Sequence, residues 1–116
     1  MSLTIYHNPR CSKSRQTLGL IEAAGQTADI ILYLETAPTV SEIKDLLKKL
    51  GFDDPRDLMR KGEAIYKELG LKDEKNAESL INAMAQYPKL IERPIVVKGE
   101  KAVLGRPPES VNALIS

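Results

Sequence analysis

Residues 3–34, LTIYHNPRCSKSRQTLGLIEAAGQTADIILYL, contain a strand pattern, a helix pattern and a second strand pattern in that order. The apolar run at 3–6 includes a β-branched pair, and the segment after Ser12 has apolar residues at helical spacing. Gly25 is the expected end of this helix, and residues 28–34 are almost continuously apolar. This order predicts a βαβ unit with two parallel strands, the second of which is expected to be buried on both faces.

The rest of the chain divides into a helical part and a strand part. Roughly residues 39–88 contain amphipathic segments without a convincing strand. Helices are predicted there at 41–50, 54–59, 64–69 and 77–87. Residues 94–98 and 102–104 predict a β-hairpin, and a last helix is expected at 110–115. The pattern therefore predicts an α/β fold, a four-stranded mixed sheet flanked by helices, with a helical insertion between strands 2 and 3.

Length and composition limit the classes of protein to which the chain belongs. Its 116 residues are enough for one core, so a single domain over 1–116 is expected. A net charge of +1, the absence of Trp and the lack of a long apolar run argue against nucleic-acid and membrane partners. The one cysteine cannot form an internal disulfide. Because a reactive thiol is best preserved in a reducing compartment, a cytoplasmic protein is predicted.

Cys11 lies between the first strand and the first helix, a position that favours its charged form. The unpaired N–H groups and the positive end of a helix stabilise a thiolate. Arg10, Lys13 and Arg15 lie within one turn of it, and His7 precedes it by four residues. Such surroundings lower a thiol pKa from roughly 8.5, so we interpret Cys11 as a nucleophile. A lone cysteine is more often a small buried hydrophobic residue, but the polar and cationic neighbours argue against that interpretation.

The spacing around Cys11 excludes several other chemistries. Cysteine-dependent phosphatases have an arginine six residues after the nucleophile, where this chain has Thr17. Ser14 replaces the second cysteine of a C-x-x-C motif, which excludes dithiol exchange within the chain. Ser14 is either a hydrogen-bond donor to the thiolate or a plain first-turn serine. One cysteine and one histidine are too few ligands for a metal, so no metal site is expected.

Arg60, Arg93 and Arg106 all lie where the chain is expected to turn. The planar guanidinium group suits carboxylates and oxyanions. Three such groups beside a helix N-terminus would form a site for a tetrahedral anion. Taken singly, each arginine is more often a solvated surface side chain.

Three motifs resemble the glutaredoxin-coupled arsenate reductase family. They are IYHNPRCSKSR at 5–15, ERPI at 92–95 and LGRPP at 104–108, and LMR at 58–60 agrees as well. The similarity extends over essentially the whole chain and is greatest to the short bacterial members, described as arsenate reductase-like proteins. The resemblance implies a thioredoxin-like fold with a helical insertion, in agreement with the elements predicted above.

The resemblance implies roles for the residues of the first motif. Cys11 would attack arsenate and form a thiol–arsenate adduct. His7 would act with it by helping to lower the pKa of Cys11. Ser14 and Arg15, in the same motif, are the candidates for supporting the charged sulfur.

The other motifs are implied to bind the substrate. Arg60, Arg93 and Arg106 would hold the oxyanion, and Pro94 would be a cis-proline beside the cysteine. Glutathione would attack the adduct as co-substrate, and glutaredoxin would reduce the resulting mixed disulfide as arsenite is released. This route needs no bound cofactor and fits a chain without a second cysteine.

Two alternatives use the same residues differently. A monothiol oxidoreductase acting on glutathionylated proteins needs only Cys11 and Ser14. A thiol-based transcriptional regulator that binds RNA polymerase has the same fold, but such regulators typically use a C-x-x-C disulfide, against which Ser14 counts.

Overall fold

The computed structural model describes residues 2–115, which form two compact units. The sheet unit combines the described parts of 1–36 and 93–116, and the helical unit is Ala37–Glu92. The helical unit corresponds closely to the insertion expected at 39–88, and it lies in sequence between the second and third strands. The single domain over 1–116 stays a prediction.

The sheet unit has a four-stranded mixed sheet in the order β2-β1-β3-β4. The strands are β1 (Leu3–Tyr6), β2 (Ala28–Ile31), β3 (Ile95–Lys98) and β4 (Lys101–Leu104). β1 runs parallel to β2, and antiparallel pairs join β1 to β3 and β3 to β4. The βαβ unit and the hairpin are therefore confirmed. β1 is therefore an inner strand between β2 and β3, and β3 is distant from it in sequence.

The second strand differs from its prediction. β2 ends at Ile31 and lies at the edge of the sheet, and the side chain of Ile30 is 51% exposed. The amides of Glu35 and Thr36 both donate to the carbonyl of Leu32, so the chain turns after the strand. The prediction of burial on both faces is wrong, because a continuous apolar run is typical of a central parallel strand but does not determine the strand's place in the sheet.

The core of the sheet unit lies between the sheet and two helices. α1 (Ser12–Ala23) ends before Gly25, whose φ of 74° is a left-handed conformation that favours glycine. The last helix begins as a 3₁₀ turn at Pro108–Val111 and continues as an α-helix at Asn112–Ile115. The buried side chains that form this core are Leu3, Ile5, Ile21, Val96, Val111 and Leu114.

The helical unit follows its sequence signals closely. Its α-helices are α2 (Val40–Leu50), α3 (Ala64–Glu68) and α4 (Ala77–Gln86). Thr39 and Glu42 form a reciprocal capping box, and Asn76 caps α4 by accepting from the Glu78 amide at 2.9 Å. The helix expected at 54–59 is a 3₁₀ turn at Pro55–Leu58, and further 3₁₀ turns occur at Leu71–Asp73 and Pro88–Leu90. Within residues 2–115, no helix has the length and apolar character needed to cross a bilayer.

Candidate active site

The loop between β1 and α1 places Cys11 at the N-cap of α1 with extended backbone angles. Its ends are held by backbone hydrogen bonds: the His7 amide donates to Ile31 at 2.8 Å, and the Cys11 amide donates to Asn8 at 3.0 Å. Arg15 Nη1 donates to the carbonyl of Pro9 at 2.8 Å. Cys11 is 9% exposed and therefore largely buried. The loop therefore holds the sulfur at the positive end of the helix.

The pKa of Cys11 is lowered, although burial by itself would raise it. The groups that outweigh burial are the Ser14 amide, the charge of Arg93, the Lys13 amide and a hydrogen bond from the Arg93 side chain. The Cys11 side chain makes no capping hydrogen bond of full geometry, so the two amides act mainly as the positive pole of the helix. The thiolate expected from the sequence is thus favoured by the helix N-terminus and by one distant arginine.

The cations near Cys11 in sequence contribute differently from the expectation. The side chains of Arg10, Lys13 and Arg15 are not among the groups that lower the pKa of Cys11. Arg15 instead donates a hydrogen bond to the Pro9 carbonyl, and its charge lowers the pKa of His7. The support of the thiolate by these three cations therefore stays a prediction.

His7 is buried and hydrogen-bonded to Ser14, with its Nδ1 2.6 Å from Ser14 Oγ. The Asn8 amide donates to the same oxygen at 3.0 Å, so the Ser14 hydroxyl joins the His7 ring to the backbone of the loop. Burial first, and then the charge of Arg15, lower the pKa of His7. A neutral imidazole fits this buried position.

The expected effects of His7 and of the Ser14 hydroxyl on the Cys11 sulfur both differ from what the structure contains. His7 is not among the groups that lower the pKa of Cys11, so a charged imidazole does not explain the thiolate. The Ser14 hydroxyl is used by His7, and it is the backbone amide of Ser14 that acts on the sulfur. The contribution of His7 to catalysis stays a prediction.

Arg93, Pro94 and Arg106 belong to the part of the sheet unit that follows the helical unit in sequence. Arg93 precedes β3, and its guanidinium group donates to the Cys11 sulfur. Arg106 Nη1 donates to the carbonyl of Arg93 at 3.3 Å. The Arg93–Pro94 peptide bond is cis, as the resemblance implied, and the Arg106–Pro107 bond, for which no prediction was made, is also cis. Two of the three expected arginines therefore lie together in the sheet unit.

Arg60 lies in the helical unit. Its Nη1 is 2.6 Å from Glu63 Oε1, and its Nε is 3.9 Å from Glu92 Oε1. The Arg60 amide donates to the carbonyl of Leu90 at 2.7 Å, which fixes the backbone there. The role of Arg60 in substrate binding stays a prediction, and the two carboxylates are partners that the sequence analysis missed.

Gly105 is a site residue that the sequence analysis missed, except as part of the LGRPP motif. Its amide donates to the carbonyl of Pro94 at 2.9 Å, and its carbonyl accepts from Thr17 Oγ1 at 3.4 Å. Thr17 is fully buried on α1 and also donates to Lys13 at 2.8 Å. Gly105 thus joins α1, which holds Cys11, to the segments that hold Arg93 and Arg106.

Gly105→Ala is expected to lower the free energy of unfolding by about 1–3 kcal/mol, since the added methyl group has no room. Its Cβ would lie 2.7 Å from Pro94 Cγ and 3.0 Å from Thr17 Cγ2. Gly19→Ala is the matched control, because no atom other than its chain neighbours and the backbone of its own helix lies within 4 Å of its new Cβ. The control is expected to be neutral or to stabilise α1 by up to about 1 kcal/mol. Urea unfolding measures both variants, and equal losses would contradict this packing argument.

The ArsC family matches residues 6–114. The chain belongs to the ArsC family. This confirms the resemblance found in the sequence, and the match includes all the candidate site residues. Among residues 2–115 of this ArsC protein, no three His, Cys, Asp or Glu side chains come together in a way that could hold a metal ion.

Individual relatives agree over nearly the whole ArsC chain. The uncharacterised protein YfgD of Escherichia coli K12 is 53% identical over 112 residues, 96% of this chain and 94% of that protein. An arsenate reductase of Neisseria meningitidis MC58 is 47% identical over 115 residues, 97% of each chain. The solved structure of an arsenate reductase from Vibrio cholerae superposes with a TM-score of 0.95 at 52% identity, covering 100% of this chain and 98% of that one. The thioredoxin-like α/β fold is therefore confirmed.

Proposed function

We propose that this protein reduces arsenate to arsenite with Cys11 as the nucleophile. The observation that carries the proposal is the Arg93 guanidinium group at the Cys11 sulfur. It favours the thiolate and provides a charged donor where an attacked oxyanion would lie. The relatives named as arsenate reductases in Neisseria meningitidis and Vibrio cholerae support the same reaction.

In the first step the Cys11 thiolate forms a bond to arsenic. One arsenate oxygen leaves as water after protonation, and the arsenic stays pentavalent. Arg93 and the neighbouring Arg106 neutralise the oxyanion, and the positive end of α1 contributes in the same direction. We assign Arg60 to the same task, since its motif matches the family pattern. Without these charges a thiolate and an arsenate anion would repel each other.

In the second step the thiol of glutathione attacks the Cys11 sulfur. The sulfur–arsenic bond breaks with its electron pair going to arsenic, which leaves as trivalent arsenite with the proton of the incoming thiol. The two sulfurs become a mixed disulfide. A glutaredoxin thiolate then attacks the glutathione sulfur and returns Cys11 to its reduced form. The single cysteine of the chain supports this external route, and the cytoplasm supplies both thiols without any bound cofactor.

The test is NADPH consumption in a mixture of the protein, glutathione, glutaredoxin and glutathione reductase. We expect consumption that depends on arsenate and is equimolar with the arsenite formed. Absence of arsenate-dependent consumption, while a known arsenate reductase is active in the same mixture, would reject the proposal. Turnover of a glutathionylated peptide without any arsenate turnover would favour a monothiol oxidoreductase instead.

A further inference from the structure

A cavity of about 330 Å³ lies beside the loop that ends at Cys11. One wall is the loop itself, residues 7–10. The other wall is the segment after β2, namely Leu32, Leu34 and Glu35. All of these residues belong to the sheet unit. Neither Arg93 nor Arg106 lines this cavity, so it is separate from the proposed oxyanion site.

The cavity combines two opposite charges with an apolar surface. Arg10 and Glu35 are both exposed, and neither side chain forms an ion pair with another described residue. Leu34 is 46% exposed, and Leu32 is partly exposed beside it. A cation, an anion and exposed leucine carbon at one cavity match a small ligand that carries carboxylate, ammonium and methylene groups.

The reaction needs such a ligand next to Cys11. The chain has one cysteine, so the thiol that resolves the adduct must come from outside. Cys11 is largely buried, which limits the directions from which a second sulfur can reach it. The loop wall of the cavity ends at Arg10, the residue directly before Cys11. A ligand bound there therefore lies against the loop that holds the nucleophile.

We propose that this cavity binds the low-molecular-mass peptide thiol that attacks the Cys11 adduct. A carboxylate of the peptide pairs with Arg10, its ammonium group pairs with Glu35, and its methylene groups cover Leu34. The proposal rests on the proposed function and adds the place from which the second sulfur approaches. In the bound state this sulfur attacks the Cys11 sulfur, the electron pair of the sulfur–arsenic bond goes to arsenic, and the thiol proton leaves with arsenite.

Binding is tested without turnover by titrating the ¹⁵N-labelled protein with S-methylglutathione, whose blocked thiol cannot react. We expect saturable amide shifts at Asn8, Arg10, Leu34 and Glu35. Shifts centred on β3 and β4, or none up to the solubility of the probe, would overturn the proposal. The readout needs no arsenate, so it remains valid even if arsenate turnover is absent.

Two substitutions distinguish the cavity from the protein surface in general. Glu35→Lys is expected to weaken S-methylglutathione binding about tenfold, since it replaces an attraction by a repulsion. Leu34→Ser is expected to weaken it by roughly threefold through the loss of apolar contact. Glu100→Lys and Leu69→Ser are the matched controls: Glu100 is exposed in the β3–β4 turn, and Leu69 is 45% exposed in the helical unit. Equal weakening by a variant and its control would overturn the assignment.

Steady-state kinetics extend the same comparison to the reaction. In the NADPH-coupled mixture, Glu35→Lys is expected to raise the KM for glutathione about tenfold and to leave the KM for arsenate unchanged. A rise in the KM for arsenate alone would overturn the proposal, because the cavity would then serve the oxyanion. If the wild-type protein binds S-methylglutathione at the cavity and turns over no arsenate, the proposed function fails while the peptide site stands.

Discussion

Cys11→Ser is expected to reduce arsenate-dependent NADPH consumption to the rate without protein. A serine hydroxyl is not ionised near neutral pH, and its oxygen cannot form the disulfide that resolves the adduct. The low pKa that the helix amides and Arg93 give to the thiol has no counterpart in serine. No other thiol in the chain replaces the nucleophile, since Cys11 is the only cysteine.

Mass spectrometry after incubation with arsenate and glutathione provides a second readout. The wild-type protein is expected to gain one glutathionyl group, removable by glutaredoxin, and Cys11→Ser none. Ser12→Ala is the control, because Ser12 is an exposed neighbour in the first turn of α1 with no assigned role. Turnover by Cys11→Ser above the rate without protein would show that the chemistry takes place elsewhere.

Arg93→Ala is expected to lower kcat/KM for arsenate by about 10²- to 10³-fold, the usual loss on removing an oxyanion donor. It is also expected to raise the pKa of Cys11, since a nearby positive charge favours the thiolate over the thiol. Without the guanidinium group a smaller fraction of Cys11 is ionised at any given pH. The rate of alkylation by iodoacetamide, measured against pH, reports this change.

Lys13→Ala is the matched control for Arg93→Ala. It removes a cation two residues from Cys11 but keeps the Lys13 amide that acts on the sulfur. Its alkylation midpoint is expected to equal that of the wild type. A midpoint that moves with Lys13→Ala and not with Arg93→Ala would restore the interpretation based on nearness in sequence. Because His7 is neutral and hydrogen-bonded to Ser14, His7→Gln is expected to produce no upward shift comparable to that of Arg93→Ala.

Helix boundaries and the position of the nucleophile were predictable because they depend on neighbouring residues. Thr39 with Glu42 and Asn76 with the amide of Glu78 are caps formed within three residues. Gly25 and the apolar spacing of α1 are equally local. These contacts form in any fold that contains the segment, so a sequence pattern is sufficient to predict them.

The direction of the Cys11 pKa shift agrees with the prediction, but only some of the groups that cause it were expected. The positive end of α1 is local, and its contribution was expected. Arg10, Lys13 and Arg15 were expected to contribute because they are close in sequence, but none of their side chains is among the groups that lower the pKa of Cys11. Family resemblance indicated Arg93, and the residues themselves gave no distance between it and Cys11.

The sequence alone determined a strand followed by a cysteine at a helix N-terminus, since capping and hydrophobic periodicity act over a few residues. Tertiary structure alone decided that β2 lies at the edge and that Arg93 contacts the sulfur. Both facts follow from the antiparallel pairing of β1 with β3, which brings together segments separated by the whole helical unit. The strand order depends on the free energy of the complete core, so no single segment of the sequence determines it.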